Sequence, residues 1–432
     1  MKRLWMVILF LLLAAWLAAC GGAAPAEPPA TDTPTTGAPA TVAPTDAPAT
    51  DAPTATPLPT AAPDVLASPS PTAGPAVLCP NVPRPALIVS TGPGFEAYDP
   101  FSGARCALPL PQTMGYLQPG GERLYFVAFD NEGSSNVVAR LGPDGAIEPL
   151  EATRATGDVY YLLRFAVAGD ESRLAWSRMA TQSDPNALAL LGSLWIGPAD
   201  GSAATPIFEN QTGGESRIVT PLRFTADGAA LYYTWEPIGL GGAWNAFNGR
   251  YDNLYRVPVG GGAPGGVAPG GGAPEKVFDC ADSGLFLCAG DFLDDGTVAY
   301  IDTDRVIHVV GPGGAPLAAI PTAGDYAGYP TFGAAGELYY STATLPGAGT
   351  AVPMPTPGVI YTLAAPYSGA PSVVASADGL LPAAAGRPFL DASHLVVGYA
   401  FEQMWGTALL NTAGEITRLE PWPNAYLAAV WP

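Results

Sequence analysis

Apolar and polar positions in this chain fall into short strand-length runs separated by turn residues. The phrase LRFTADGAALYYTWE, residues 222–236, shows the pattern most clearly. A run of strand character leads into Ala226-Asp227-Gly228, and Leu231-Tyr232-Tyr233-Thr234-Trp235 follows as a second strand. Asp-Gly between aromatic and β-branched runs predicts a tight hairpin, because glycine tolerates the positive φ that such turns require. A third strand, Asn253-Leu254-Tyr255-Arg256-Val257-Pro258, ends at glycines 260–262, and Lys276-Val277-Phe278 supplies a fourth. Then the pattern restarts.

The hairpin phrase recurs as LQPGGERLYFVAF (117–129), RFAVAGDESRLAWSR (164–178), DFLDDGTVAYIDT (291–303), TFGAAGELYYST (331–342) and PFLDASHLVVGYA (388–400). A companion phrase recurs as VVARLGPDG (137–145), LWIGPADG (194–201), VIHVVGPGG (306–314) and IYTLAAPYSG (360–369). Successive hairpin turns near Gly121, Asp170, Gly228, Gly296, Gly336 and Ala392 are 49, 58, 68, 40 and 56 residues apart. Four strands per period of ~40–50 residues, with insertions, is the signature of a propeller blade.

The ends of the array set the blade number. Residues 86–91, 96–99 and 106–108 supply three strands without a leading one, and YLAAVW, 426–431, is a strand with no blade of its own. Closure of the first blade by the C-terminal strand would remove the exposed edge of an open array. The expected fold is therefore all-β, a seven-bladed propeller of four-stranded antiparallel blades. An open array and a six-bladed ring with a decorated N-terminus are the alternatives.

FTADGAALYY and LYRVPVGGG resemble the TolB-type, WD-repeat-like propeller repeat, whose consensus runs F-S-P-D-G, L-A-Y, L-Y-V-x-D and G-G. The resemblance covers most of residues 80–432. Its copies are degenerate here: the turn proline persists in one and Asp-Gly in two. It implies a fold and hardly any function, since sites are grafted onto folds. Peptidases with a similar propeller append an α/β-hydrolase domain, and no G-x-S-x-G elbow, P-loop or H-E-x-x-H occurs in this chain.

Met1-Lys2-Arg3, an apolar run over 4–16 and Leu17-Ala18-Ala19-Cys20 read as a bacterial lipoprotein signal, residues 1–19, with Cys20 acylated after cleavage. The run is shorter than the ~20 apolar residues a membrane-spanning helix needs. Residues 20–78 are mostly Ala, Pro and Thr with no aromatic side chain. Such a segment cannot bury enough apolar surface to offset its ordering entropy, so a disordered, semi-stiff stalk is expected. At ~3.1 Å per residue it could hold the propeller, 79–432, up to roughly 180 Å from the membrane. The expected location is extracytoplasmic, lipid-anchored in the cell envelope of a bacterium.

From Cys20 onward 16 Arg and Lys face 38 Asp and Glu, a net charge of −22. That acidity argues against nucleic acid and against electrostatic adhesion to anionic lipid. Cys79, Cys106, Cys280 and Cys288 form an even set in an exported chain, which allows three disulfide pairings. Sequence order favours Cys79–Cys106 and Cys280–Cys288. Neither pair has zinc spacing. His308 and His394 lie in apolar strand patterns that predict packing. Asp294-Asp295-Gly296 and Asp302-Thr303-Asp304 read as turns, since no full calcium loop surrounds them. No catalytic, cofactor or metal residue is assigned.

Connection lengths are more informative. First-to-second turns are short in every copy, whereas second-to-third connections are long at 179–192, 237–252 and 344–358. Alternation of strand direction puts those three insertions on one face, and binding residues concentrate on loops held by a rigid scaffold. The middle one carries Trp244, Asn245, Phe247, Asn248, Arg250, Tyr251 and Asp252, a mixture suited to peptide or carbohydrate. The expected role is a non-catalytic binding or scaffold module for a protein, peptide or glycan. The alternative is a propeller enzyme, a glycan hydrolase or lyase, with its site at the channel mouth.

Overall fold

The computed structural model describes residues 78–92, 94–129, 135–156, 163–181, 190–213, 217–237, 251–259, 273–280, 288–322, 326–343, 358–377, 380–382, 389–401, 404–419 and 425–432. These form seven antiparallel sheets arranged as the blades of a β-propeller. Strands within a blade are lettered A, innermost, to D. Blade 4 is the simplest: Arg217–Phe224, Ala230–Pro237, Asn253–Pro258 and Glu275–Asp279 pair in chain order.

Burial explains why the B strands read as unbroken apolar runs. Leu231 and Tyr233 pack into the layer between blades 3 and 4, and Tyr232 into the layer between blades 4 and 5. Successive strand residues point to opposite faces, and both faces of a blade are covered by a neighbour. Leu87 and Ile88 of blade 1 divide in the same way between the layers shared with blades 7 and 2. The D strands, at the rim, are largely exposed: Glu275–Asp279 and Pro316–Pro321 each bury little. Cross-strand rings reinforce the middle of several blades. Tyr233 stacks on Tyr255, Tyr300 on His308 and Tyr340 on Tyr361, each pair directly opposite across the B and C strands. Such pairs stabilise a sheet by roughly 0.2–1 kcal/mol each.

The C-terminal strand closes the ring. Ala425–Trp431 pairs antiparallel with Ala86–Thr91 and becomes strand A of blade 1, completed by Phe95–Tyr98 and Arg105–Leu108. The expected closure and the count of seven are both present. Leu87, Val89, Tyr98 and Val430 pack against Leu390, Val396, Leu409 and Leu419 of blade 7, so the joint between the chain's two ends has an apolar layer like the others.

Two blades depart from the simple repeat. Blade 7 has a broken A strand, because Leu380–Pro382 and Phe389–Asp391 both pair with His394–Phe401. In blade 2, Ala155–Thr156 adds a fifth short strand beside Ser135–Leu141. The cysteines are joined as Cys79–Cys106 and Cys280–Cys288. The first bond ties the segment before blade 1 to that blade's D strand, and the second spans the connection from blade 4 to blade 5.

Candidate functional site

The A–B and C–D turns share one end of the propeller. In blade 4 the turn is closed by Gly228 N–H donating to Thr225 O at 2.8 Å, with Gly228 at φ +67°. The Asp227 carboxylate accepts the Thr225 hydroxyl and the Ala229 amide. Blade 3 builds the same turn with Glu171 in the glycine's place, at φ +54°, a conformation uncommon for a side chain of that size. What Glu171 does there accounts for the strain. Its Oε1 accepts the Glu122 and Arg123 amides of blade 2 at 2.7 and 2.9 Å, and its Oε2 lies 2.5 Å from the Arg123 guanidinium. Gly120 makes room, since a Cβ at that position would sit 2.6 Å from Glu171 Oε1.

Similar ties recur around this end. Asp294 of blade 5 accepts the Ala226 amide of blade 4 at 2.6 Å, and Tyr232 Oη donates to the Asp294 carbonyl at 3.0 Å. Arg173 of blade 3 donates to Gly228 O of blade 4 at 2.9 Å, and within blade 6 Tyr367 Oη of the C–D turn donates to Gly336 O of the A–B turn at 2.7 Å. Arg84, just before the B strand of blade 1, donates to the Gly121 and Glu122 carbonyls of blade 2. Turn chemistry also explains the paired aspartates singled out from sequence. Asp295 caps the Thr297 amide and Asp302 the Val306 amide. No group of three or more metal-ligating side chains occurs among the described residues.

Neither histidine is simply packed. His308 Nε2 lies 2.7 Å from Asp302, and His394 Nδ1 lies 2.9 Å from Asp391, with both rings half-buried. The apolar strand pattern gave no warning, because Asp302 sits in a turn and Asp391 at the end of the preceding short strand, each outside the histidine's own apolar run.

At the opposite end, Trp244, Asn245, Phe247, Asn248 and Arg250 lie outside the described residues, as do 182–189 and 344–357. Tyr251 and Asp252 are described, and they anchor the loop. The Asp252 side chain is 8% exposed, and its Oδ2 is 2.6 Å from Arg217 Nη2. Arg217 also donates to Trp235 O at 2.7 Å. Asn253 completes the cluster, accepting the Trp235 amide at 2.8 Å and donating to Trp235 O at 3.0 Å. The Asp252 carbonyl accepts the Cys280 amide, which links this anchor to the Cys280–Cys288 bond. Tyr251 exchanges backbone hydrogen bonds with Ala289, and its ring meets Phe292 edge-on at 6.0 Å. Its side chain is thus packed against blade 5.

Sequence reasoning missed a cavity of about 460 Å³ in the central channel, lined by the inner strands of blades 1 to 5. Gln118, Tyr116, Tyr251, Arg223, Asp291 and Asp294 are among its polar groups, and Phe292 adds an aromatic face. Most of these groups are already engaged. Asp291 accepts the Phe292 and Phe332 amides at 2.8 and 3.0 Å, and Gln118 accepts the Val167 amide at 3.3 Å. Arg223 lies 4.2 Å over the Phe292 ring, donates to the Phe292 carbonyl and stands 3.5 Å from Asp294. Tyr116 is 41% exposed, and its ring meets that of Phe165 in a T-shaped contact at 5.3 Å. The arrangement can hold a polar or aromatic group against one guanidinium and a tyrosine. No sequence signal marks these residues as a set, since Arg223 and Asp291 sit in ordinary strand positions.

No family model and no curated protein matches the sequence. Solved structures do match in fold. TolB from Acinetobacter baumannii is 11% identical with a TM-score of 0.38, over 79% of this chain and 66% of that one. Dipeptidyl peptidase 4 of Porphyromonas gingivalis is 12% identical with a TM-score of 0.43, over 76% and 48%. Hsv2 of Kluyveromyces lactis is 14% identical with a TM-score of 0.42, over 76% and 94%. The chain therefore spans about two thirds of the TolB chain and about half of the peptidase chain. At such identities the likeness extends to the fold and no further.

Proposed function

We propose that the chain is a lipid-anchored, extracytoplasmic binding module, held to a bacterial membrane through Cys20, whose propeller presents one end to a protein, peptide or glycan. The observation that carries this reading is the unequal use of the two ends. At the A–B and C–D end, turn carboxylates and arginines are spent on capping turns and tying blades together. The long connections of blades 3, 4 and 6 leave from the other end, and the one around Trp244 and Phe247 springs from the Arg217–Asp252–Asn253 anchor. A rigid base under a long loop is the arrangement by which scaffolds present binding residues. The non-catalytic role draws support from the channel, where Asp291 and Asp294 each accept a backbone N–H and so brace the blades.

The anchor and the binding face are tested separately. Fatty-acid labelling should mark the wild type and leave Cys20→Ser unlabelled; an unlabelled wild type removes the anchor from the reading. For the face, cross-linking in intact cells should capture a partner that is lost from the Trp244→Ala/Phe247→Ala double variant. Undiminished capture by that variant moves the site away from this loop.

A further inference from the structure

The two disulfides differ in how a reductant can reach them. Cys280 and Cys288 are 3% and 0% exposed. Cys79 is buried, but Cys106 is half-buried on the D strand of blade 1, the rim strand of its sheet. Exchange requires a thiolate to approach a sulfur, and of the four cysteines Cys106 is the one that is not fully buried.

That bond holds the segment lying over the joint of the ring. Cys79 and Val82 pack in one apolar cluster with Ala429 and Trp431 of the closing strand and with Leu124 and Leu141 of blade 2. Arg84 stacks over the Trp431 ring at 4.0 Å and donates to the Gly121 and Glu122 carbonyls, bridging closing strand and neighbouring blade. Asn81 donates to Arg105 O at 3.1 Å beside the disulfide. The closing strand pairs with the segment farthest from it in the propeller sequence, the contact that costs the most chain entropy to form. A covalent tie from residue 79 to blade 1 keeps Val82 and Arg84 at high effective concentration against Trp431.

We propose that residues 78–85 and the Cys79–Cys106 bond form a redox-sensitive clasp on the closure of the ring. A dithiol reductant supplies the thiolate that attacks Cys106 Sγ. The S–S bond breaks and Cys79 leaves as a thiolate. The reductant's second thiol then resolves the mixed disulfide and leaves as a cyclic disulfide. Two electrons and two protons pass to the protein, and both cysteines end as thiols. The freed segment keeps the Asn81 and Arg84 contacts and the packing of Val82 but loses its covalent tie to blade 1, so it detaches more often and the closing strand opens more often.

The test is a dithiothreitol titration of the folded full-length protein, with thiols assigned by mass spectrometry and backbone opening followed by hydrogen exchange. Cys79–Cys106 should be reduced first, and residues 425–431 should then exchange at least about tenfold faster while 230–237 keep their protection. The Cys79→Ser/Cys106→Ser variant should behave like the reduced protein. Cys280→Ser/Cys288→Ser should loosen 251–259 and spare 425–431. Should the first variant fail to fold, the titration of the wild type still decides the matter. Reduction of Cys280–Cys288 first, unchanged exchange over 425–431 after reduction, or equal loosening of every blade would each overturn the clasp.

Discussion

At the A–B and C–D end of the propeller, short turns cap themselves with aspartate and pass polar groups to the next blade, as Glu171 does to Glu122 and Arg123 and Asp294 to Ala226. At the B–C end, blade 4 sinks one ion pair, Arg217–Asp252, into its sheet and then leaves it for a long connection. Both ends belong to the same strands and the same alternation of side chains. Their difference shows where a repeat fold can accept change. Turns that satisfy a neighbour's backbone cannot lengthen without orphaning those groups. A connection anchored at its base can grow, because each doubling of a loop costs only about 0.6 kcal/mol of closure entropy.

The largest effect should come from the strand both ends depend on. Deleting 425–432 removes strand A of blade 1 together with the packing of Val430 and Trp431. It exposes strand edges and apolar surface at once. The truncated chain should lose its cooperative melt and run as aggregate on size exclusion; a monomer with the wild-type melting temperature would sink the closure account.

Next are the two polar anchors, one from each end. Asp252→Ala strands the Arg217 guanidinium in a mostly buried site and should cost about 3 kcal/mol. Faster hydrogen exchange over 251–259 should accompany it. Glu171→Ala leaves two backbone amides and Arg123 without their acceptor and should cost about 2 kcal/mol. Its loosening should appear in blades 2 and 3 alone. If the two variants loosened the same residues, the ends would not be independent.

Acid should separate turns from strands more gently. Hydrogen bonds from the Ser172 hydroxyl and amide lower the Asp170 pKa, and the Ser202 hydroxyl and amide do the same for Asp200. A carboxylate with a folded pKa below its unfolded value stabilises the fold above the unfolded value, about 3.9 for aspartate. That contribution is lost as pH falls through the lowered folded value. Exchange at the A–B and C–D turns, corrected for intrinsic rate, should therefore rise below about pH 4, before the strand 230–237 opens. Simultaneous opening of turns and strand would contradict the assignment. The smallest effect belongs to the loop: Trp244→Ala/Phe247→Ala should change stability by under about 0.5 kcal/mol, read by thermal melting. A collapsed melt would make those rings packing residues.

The architecture was legible because it rests on local regularities. Aromatic and β-branched runs, Asp-Gly turns and their spacing specify hairpins within a few residues. The orphan 426–431 strand needed only a count of strands to be assigned to blade 1. Chain order likewise favoured the two cysteine pairings that the structure contains.

Contacts between blades were decided by the tertiary structure. Glu171 and Asp294 do equivalent work from different positions in their turns, so no repeated letter marks them. Tyr251 reads as a loop aromatic until blade 5 supplies Ala289 and Phe292 for it to pack on. The channel cavity draws its lining from five blades, two to six residues from each. A degenerate repeat preserves what each blade needs to fold, because that is written in neighbouring residues. What one blade offers the next depends on residues far apart in the chain, whose pairing exists only once the ring has closed.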